Sequence, residues 1–211
     1  MTGGLFVAFE GGDGAGKYTQ ARALAEALRA AGHEVVLTRE PGGTPAAEAI
    51  RLVVLTPDFA GLDARAEALL YAASRAEHVA RLIRPALDRG AVVITDRYID
   101  SSIAYQGVAR GLGPDVVGEI NLWATRYLLP DLTVLLDVEA GAGLARLGAE
   151  PDRLEAEPEE FHESVVAAFR TLAAGDPDRY LVVAAGGDRE DIAATVRQRV
   201  DALLAGRGDA S

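Results

Sequence analysis

Gly11-Gly12-Asp13-Gly14-Ala15-Gly16-Lys17 is the stretch on which the reading of this chain turns. The spacing Gly-x-x-x-x-Gly-Lys is that of a phosphate-binding P-loop, in which backbone N–H groups wrap phosphate oxygens and the lysine reaches the terminal ones. Lys17 is the only lysine in 211 residues; the other twenty Lys/Arg positions are arginine. The flanks supply the order that such a loop requires. Leu5-Phe6-Val7-Ala8-Phe9 is a short apolar run of the kind that forms a buried parallel strand. Thr19 to Ala31 is rich in alanine, carries Leu24 and Leu28 four apart and is followed by Gly32, so it reads as a helix with a C-terminal stop. Strand, loop and helix in that sequence aim the unpaired N–H groups and positive end of the helix at bound phosphates. A glycine-rich turn in an ordinary βα unit is the plainer explanation, and the flanking pattern outweighs it.

One position departs from the pattern. The residue after the lysine is ordinarily Ser or Thr, whose hydroxyl binds Mg²⁺, and here it is Tyr18. A phenol oxygen lies several ångströms farther from the backbone and cannot take the same coordination point. Thr19 is about 100° further around a helix and is no automatic substitute. Nucleotide binding with altered metal handling is the expectation.

Composition narrows the partners. With 49% hydrophobic and 25% charged residues the chain is ordinary globular material, long enough for one domain with a sizeable core. It has no run of about 18 uninterrupted apolar residues and no basic segment leading into a hydrophobic one at the N-terminus, so a soluble, cytoplasmic protein is expected. Zero cysteines exclude disulfides and thiolate metal sites. His33, His78 and His162 are far apart and form no ligand pair. A net charge of −11 argues against nucleic acid polymers or anionic membrane as the main partner, while a small anion in a local basic pocket remains compatible.

The rest of the chain alternates. Further strands are expected at Glu34–Thr38, Ala91–Thr95, Leu132–Leu136 and Tyr180–Ala184. Helices are expected at Pro45–Leu55, Asp63–Arg89 with a break or bend near Pro85, Gly113–Leu128, Gly141–Arg146, Pro158–Ala174 and Arg189–Leu204. This predicts an α/β, single-domain P-loop fold over 1–205: a five-stranded parallel sheet with helices on both faces, a short lid at about 147–157 and a disordered tail at 206–211. Ligands in such sheets sit beyond the carboxyl ends of the strands. Asp13, Glu40 and Asp96 fall there, with Arg39 and Arg97 beside them. Arginine forks bind phosphate bidentately, and a strand-end carboxylate such as Asp13 or Asp96 can hold Mg²⁺ directly or through water. Each of these residues alone would be read as surface; their convergence on the P-loop edge reverses that.

Four segments together resemble a known family. Phe9-Glu10-Gly11-Gly12-Asp13-Gly14-Ala15-Gly16-Lys17, Thr38-Arg39-Glu40-Pro41-Gly42-Gly43-Thr44, Tyr71-Ala72-Ala73-Ser74-Arg75 and Asp96-Arg97-Tyr98-Ile99-Asp100-Ser101-Ser102-Ile103-Ala104-Tyr105-Gln106-Gly107 closely resemble bacterial thymidylate kinase. Pro130-Asp131-Leu132-Thr133 and Asp152-Arg153-Leu154-Glu155 match as well, so the resemblance spans nearly the whole chain. It implies transfer of the ATP γ-phosphoryl group to dTMP with Mg²⁺, and a homodimer. It further implies that Tyr71 stacks on thymine, Arg75 hydrogen-bonds a base oxygen, Ser102 and Gln106 contact the base, and Tyr105 lies against the deoxyribose. Arg97 and Arg51 match residues near the acceptor phosphate, and Glu40 and Asp13 match acidic residues near the sugar and the transferring phosphate. The donor would sit on Gly11 to Thr19, with Lys17 on its β and γ oxygens. Because Gly14 and Ala15 leave the P-loop without an arginine, the resemblance assigns the donor-side cations to Arg146 and Arg153. Without the family, Tyr71 reads as a core aromatic and these two arginines as surface residues. The lid, Leu147 to Asp152, is shorter and less basic than the family leads one to expect. A kinase for another nucleoside monophosphate, and a nucleotide-binding homologue with impaired catalysis, are the alternatives.

Overall fold

Leu5–Glu10 forms β1, all six residues buried, and it is the middle strand of five. The computed structural model describes residues 3–145 and 151–208. In chain order the elements are β1, α1 (Lys17–Ala30), β2 (Val35–Arg39), α2 (Pro45–Leu55), α3 (Ala64–His78), α4 (Arg84–Asp88), β3 (Val92–Asp96), α5 (Ile99–Ser102), α6 (Pro114–Ala124), β4 (Leu132–Asp137), α7 (Ala140–Leu144), α8 (Glu159–Gly175), β5 (Tyr180–Ala184) and α9 (Arg189–Gly208). The strand order is β2-β3-β1-β4-β5 with every pairing parallel. The expected α/β fold is therefore the one observed.

Successive side chains of β1 leave on opposite faces. Leu5, Val7 and Phe9 join Leu24 and Leu28 of α1 and Val196 and Val200 of α9, whereas Phe6 and Ala8 join Ile83, Leu87, Tyr98 and Ile99 on the other face. A third cluster, built on Leu135, Phe169 and Tyr105, lies under the cleft described below. Phe9 has no exposed surface, and truncating such a core phenylalanine to alanine costs about 3–5 kcal/mol.

Local chemistry explains where the elements start and stop. Asp63 caps α3 by accepting the N–H groups of Arg65 and Ala66 at 2.9 and 3.2 Å, and Thr44 caps α2 from Ala47 at 3.3 Å. The bend expected near Pro85 is a wider π-type turn, Val79–Ile83, between α3 and α4. Proline has no N–H to continue the α pattern, and the wider turn accommodates its ring.

Three expectations need correction. The α6 helix ends at Ala124 rather than Leu128, because Arg126 and Tyr127 take left-handed φ values of 53° and 56°. Ile99–Ser102 and the π-type turn Ile103–Ala109 form a helical segment where none was expected. Its N-terminus is satisfied from far away in sequence, since Glu10 accepts the N–H groups of Tyr98 and Ser101 at 2.8 and 3.1 Å. The last helix also passes its expected end at Leu204, and 206–208 of the expected tail are helical: α9 runs to Gly208, and Arg207 pairs with Asp131 at 2.5 Å and donates to the carbonyl of Gly4.

Candidate active site

The P-loop leaves the carboxyl end of β1 and runs directly into α1. Gly11, Gly14 and Gly16 take φ values of 136°, 72° and 88°, in the region that favours glycine. At Gly14 a Cβ would also lie 1.9 Å from the carbonyl oxygen of Gly143 in α7, so no other residue fits there. Lys17 is buried, and its Nζ donates to the carbonyls of Gly11 and Gly12 at 3.0 and 2.7 Å. Burial and the neighbouring Arg97 push its pKa down to about 8, against the opposing pull of Asp96, Asp13 and Glu10. Tyr18 is 57% exposed and Thr19 is exposed too, so the phenol ring stands outside the loop and does not obstruct it.

Arg97 follows β3 with φ at 70°, an uncommon conformation for a residue with a side chain. Its guanidinium donates to Asp13 Oδ1 at 2.5 Å, the Tyr105 hydroxyl at 3.1 Å, Ser101 Oγ at 3.0 Å and the Gly11 carbonyl at 3.3 Å. Asp13 is held on its other oxygen by the Tyr105 hydroxyl at 2.7 Å, with His162 Nδ1 3.7 Å away. Burial works to raise the Asp13 pKa, but Arg97 and Lys17 outweigh it and hold the carboxyl below its usual range. Asp96 lines the same space, and its carboxylate takes no hydrogen bond or ion pair from the described residues.

Arg75 of α3, 2% exposed, is the second hub. Its Nε donates to Glu40 at 2.6 Å, Nη1 to Ser102 at 2.9 Å and to Asn121, and Nη2 to the Tyr98 carbonyl at 2.9 Å. Of the five N–H groups of a guanidinium, one on Nη2 meets no acceptor among the described residues. Glu40 takes Arg75 on one oxygen and His78 Nδ1 at 2.9 Å on the other and itself lines the cleft, so it orients the arginine.

These groups border one cleft of about 220 Å³. Lys17, Asp13, Asp96 and Arg97 stand at its P-loop end, and Tyr71, Arg75, Ser102, Tyr105 and Gln106 also line it, with Arg51 and Arg39 from the β2 side. Arg51 donates to the Pro41 carbonyl at 3.0 Å. Tyr71 is buried, which pushes its phenol pKa up. Burial likewise raises that of Tyr105.

Arg153 is placed differently from a free donor-side cation. Its Nε donates to the Val54 carbonyl at 2.8 Å and its Nη2 lies 2.6 Å from Glu67, which has no exposed surface. The described part of the expected lid is thus docked on α2 and α3, a position that sequence spacing did not convey. Arg146 and 147–150 lie outside the described residues.

Sequence reasoning passed over Glu10, Glu67, His78 and Asn121, all buried and all bonded to site residues. A signal was present for two of them. Glu67, Tyr71, Arg75 and His78 are spaced four, four and three apart, one face of a helix, and polar groups on a buried face need partners.

The chain matches the family model for thymidylate kinase over residues 9–196. The chain belongs to the thymidylate kinase family. It is 54% identical to a thymidylate kinase of Clavibacter sepedonicus over 205 residues, covering 96% of this chain and 97% of that one. A thymidylate kinase of Cutibacterium acnes is 51% identical, with coverage of 96% and 98%. The crystal structure of thymidylate kinase from Ehrlichia chaffeensis superposes with a TM-score of 0.78 at 34% identity, covering 94% of this chain and 98% of that chain. In this member of the family the P-loop lysine, Lys17, and the arginine that follows β3, Arg97, line one cleft.

Proposed function

We infer that the enzyme transfers the γ-phosphoryl group of ATP to the 5′-phosphate of dTMP, giving dTDP and ADP. The observation that carries this reading is the cleft itself: Lys17 and Arg97 at one end, and Arg75 with one unspent N–H beside Tyr71 and Gln106. Phosphoryl transfer demands alignment and charge neutralisation more than covalent participation by the protein. The N–H groups of Gly11 to Lys17 support binding of the donor phosphates, and the Lys17 ammonium supports a role on the β and γ oxygens. Arg97, with Asp13 and Tyr105 fixing its plane, is suited to the acceptor phosphate, and Arg51 to the same charge. Tyr71 offers a flat apolar face for a pyrimidine and Arg75 a donor for a carbonyl oxygen.

The residues present fit a hydrated Mg²⁺. Asp96 is an uncommitted carboxylate facing the cleft beside Lys17, and Mg²⁺ typically needs one or two carboxylates, with water and phosphate completing its shell. Asp13 is less available, since Arg97 and Tyr105 occupy its oxygens. When bound, the ion would offset charge on the donor phosphates.

Leu69 of α3 and Val116 and Trp123 of the neighbouring α6 are exposed, as is Tyr127 in the turn after α6, with Trp123 at 76%. Large apolar side chains left exposed on two helices that pack together support a homodimer. No helix among the described residues is long and apolar enough to cross a membrane. Together with the absence of cysteine this supports a cytoplasmic enzyme.

The test is ADP release measured side by side with dTMP, dUMP, dCMP and AMP as acceptors. The highest kcat/KM is expected with dTMP. A higher value with another monophosphate, or binding of both ligands without dTDP formation, would overturn the reading.

A further inference from the structure

We propose that Glu67 sets the choice between thymine and cytosine by fixing which end of the Gln106 amide faces the base. The proposal rests on the reading that Gln106 borders the base in the cleft. Glu67 lies on α3 one turn before Tyr71 and has no exposed surface. Its Oε1 accepts a hydrogen bond from Gln106 Nε2 at 2.9 Å. A carboxylate offers acceptors only, so the amide nitrogen turns toward it and the amide oxygen is left for the other side. That oxygen receives no hydrogen bond from the described residues, and Gln106, though 1% exposed, lines the cleft.

An unrestrained glutamine can present either end to a ligand and so reads donor and acceptor alike. Here the carboxylate that removes this freedom is itself locked. Arg153 stands 2.6 Å from Glu67 Oε2 and Arg110 3.3 Å from it. Arg110 is braced in turn by Glu157 at 2.6 Å and lies over the Phe161 ring at 4.8 Å. The described part of the expected lid, through Arg153 and Glu157, together with Phe161 just after it, therefore buttresses the amide.

The consequence is a fixed pattern of one acceptor and one donor. Gln106 Oε1 accepts, and the remaining Nη2–H of Arg75 donates. Thymine presents N3–H as a donor and O4 as an acceptor, which complements both; cytosine presents N3 as an acceptor and a 4-amino donor, which opposes both. Buried polar mismatches discriminate far more strongly than a missing methyl group. Uracil has the same edge as thymine, so this device separates dTMP from dCMP and leaves dUMP to other contacts.

The experiment compares kcat and KM for dTMP, dCMP and dUMP in Glu67→Gln, a near-isosteric change whose amide can donate as well as accept. The dTMP:dCMP ratio of kcat/KM should fall about tenfold or more, chiefly through KM, with the dTMP:dUMP ratio unchanged. A uniform loss on all three substrates would mark a purely structural role and overturn the proposal. Gln106→Ala separates the two levels of inference: unchanged dTMP kinetics there would remove Gln106 from the base site. A clear KM effect in Gln106→Ala with unaltered selectivity in Glu67→Gln would defeat the Glu67 proposal alone. Should Glu67→Gln not fold, nuclear Overhauser contacts in unsubstituted enzyme with dTMP bound give the same answer. The Gln106 amide protons should contact the Glu67 side chain, and a stronger contact with the thymine imino proton would overturn the proposal.

Discussion

The Glu10 carboxylate accepts the backbone N–H of Ser101 at 3.1 Å and its hydroxyl at 2.6 Å, tying the last residue of β1 to the first turn of α5. The same carboxylate takes the Tyr98 N–H at 2.8 Å, and Ser101 Oγ accepts from Arg97. One buried acid thus holds the turn that aims Arg97, in its left-handed conformation, at Asp13.

That arrangement has a cost that varies with pH. Burial and the nearby Asp100 push the Glu10 pKa up to about 7, against Arg97 and the hydrogen bonds from the Ser101 hydroxyl and the Tyr98 N–H. A carboxyl whose folded value exceeds its unfolded one binds its proton more tightly in the native state. Its contribution to stability therefore falls as pH rises from about 4.5 to about 7, by at most about 3 kcal/mol. Glu10→Gln keeps an acceptor for the two N–H groups and removes the charge. Urea unfolding at pH 5 and pH 8 should show a smaller drop in the variant than in the unsubstituted enzyme. Equal drops would assign the slope to other groups.

How much of this was legible in the sequence follows from the range of each interaction. The P-loop, α1 and the five strands rest on local patterns, glycine spacing and apolar runs, and they were found within a residue or two. Ile99–Ala109 was missed because Asp100, Ser101 and Gly107 look like loop residues, while the group that caps the segment lies 91 positions earlier. The Tyr71, Arg75 and Gln106 positions came from the family resemblance, and the cleft brings them together. Which partners hold them did not come from either source. Glu40, expected at the sugar, lines the cleft while holding Arg75 and His78, and Arg153, expected over the donor, is paired with Glu67. A charged side chain chooses among several oppositely charged neighbours by three-dimensional distance, which spacing along the chain does not encode.

Lys17 offers a second titration with its own window. In the ligand-free enzyme burial and Arg97 hold its pKa at about 8, so at pH 9 much of it is neutral. A bound triphosphate adds negative charge beside it and draws the proton back. Calorimetry of ATP binding at pH 9, in buffers of different ionisation enthalpy, should register proton uptake by the enzyme. Lys17→Ala should abolish that uptake and lower kcat by about 10³. Retention of more than a few percent of the rate would contradict the assigned role.

Trp123 tests the proposed dimer without touching the cleft. At 76% exposure it contributes little to the core of one subunit, so Trp123→Glu should keep the melting temperature of the isolated subunit while placing a charge on the exposed apolar side of α6. Sedimentation at micromolar concentration should give twice the 22.1 kDa chain mass for the unsubstituted enzyme and the single mass for the variant. A monomeric unsubstituted enzyme would remove the dimer from the reading.

Metal handling separates Asp96 from Tyr18. Asp96 is the uncommitted carboxylate at the P-loop end of the cleft, so Asp96→Asn should raise the Mg²⁺ concentration at half-maximal rate about tenfold or more and lower kcat, without changing dTMP binding measured in the absence of metal. The Tyr18 ring is exposed and supplies nothing to the loop. Tyr18→Ser places a hydroxyl at the position that ordinarily binds the ion; turnover should rise and the Mg²⁺ requirement should fall. If the Asp96 variant keeps its Mg²⁺ dependence while the Tyr18 variant shifts, the ion sits against the start of α1 rather than the end of β3. If both curves stay where they were, neither position is a ligand, and Asp13 would have to exchange its bonds to Arg97 and Tyr105 for the metal.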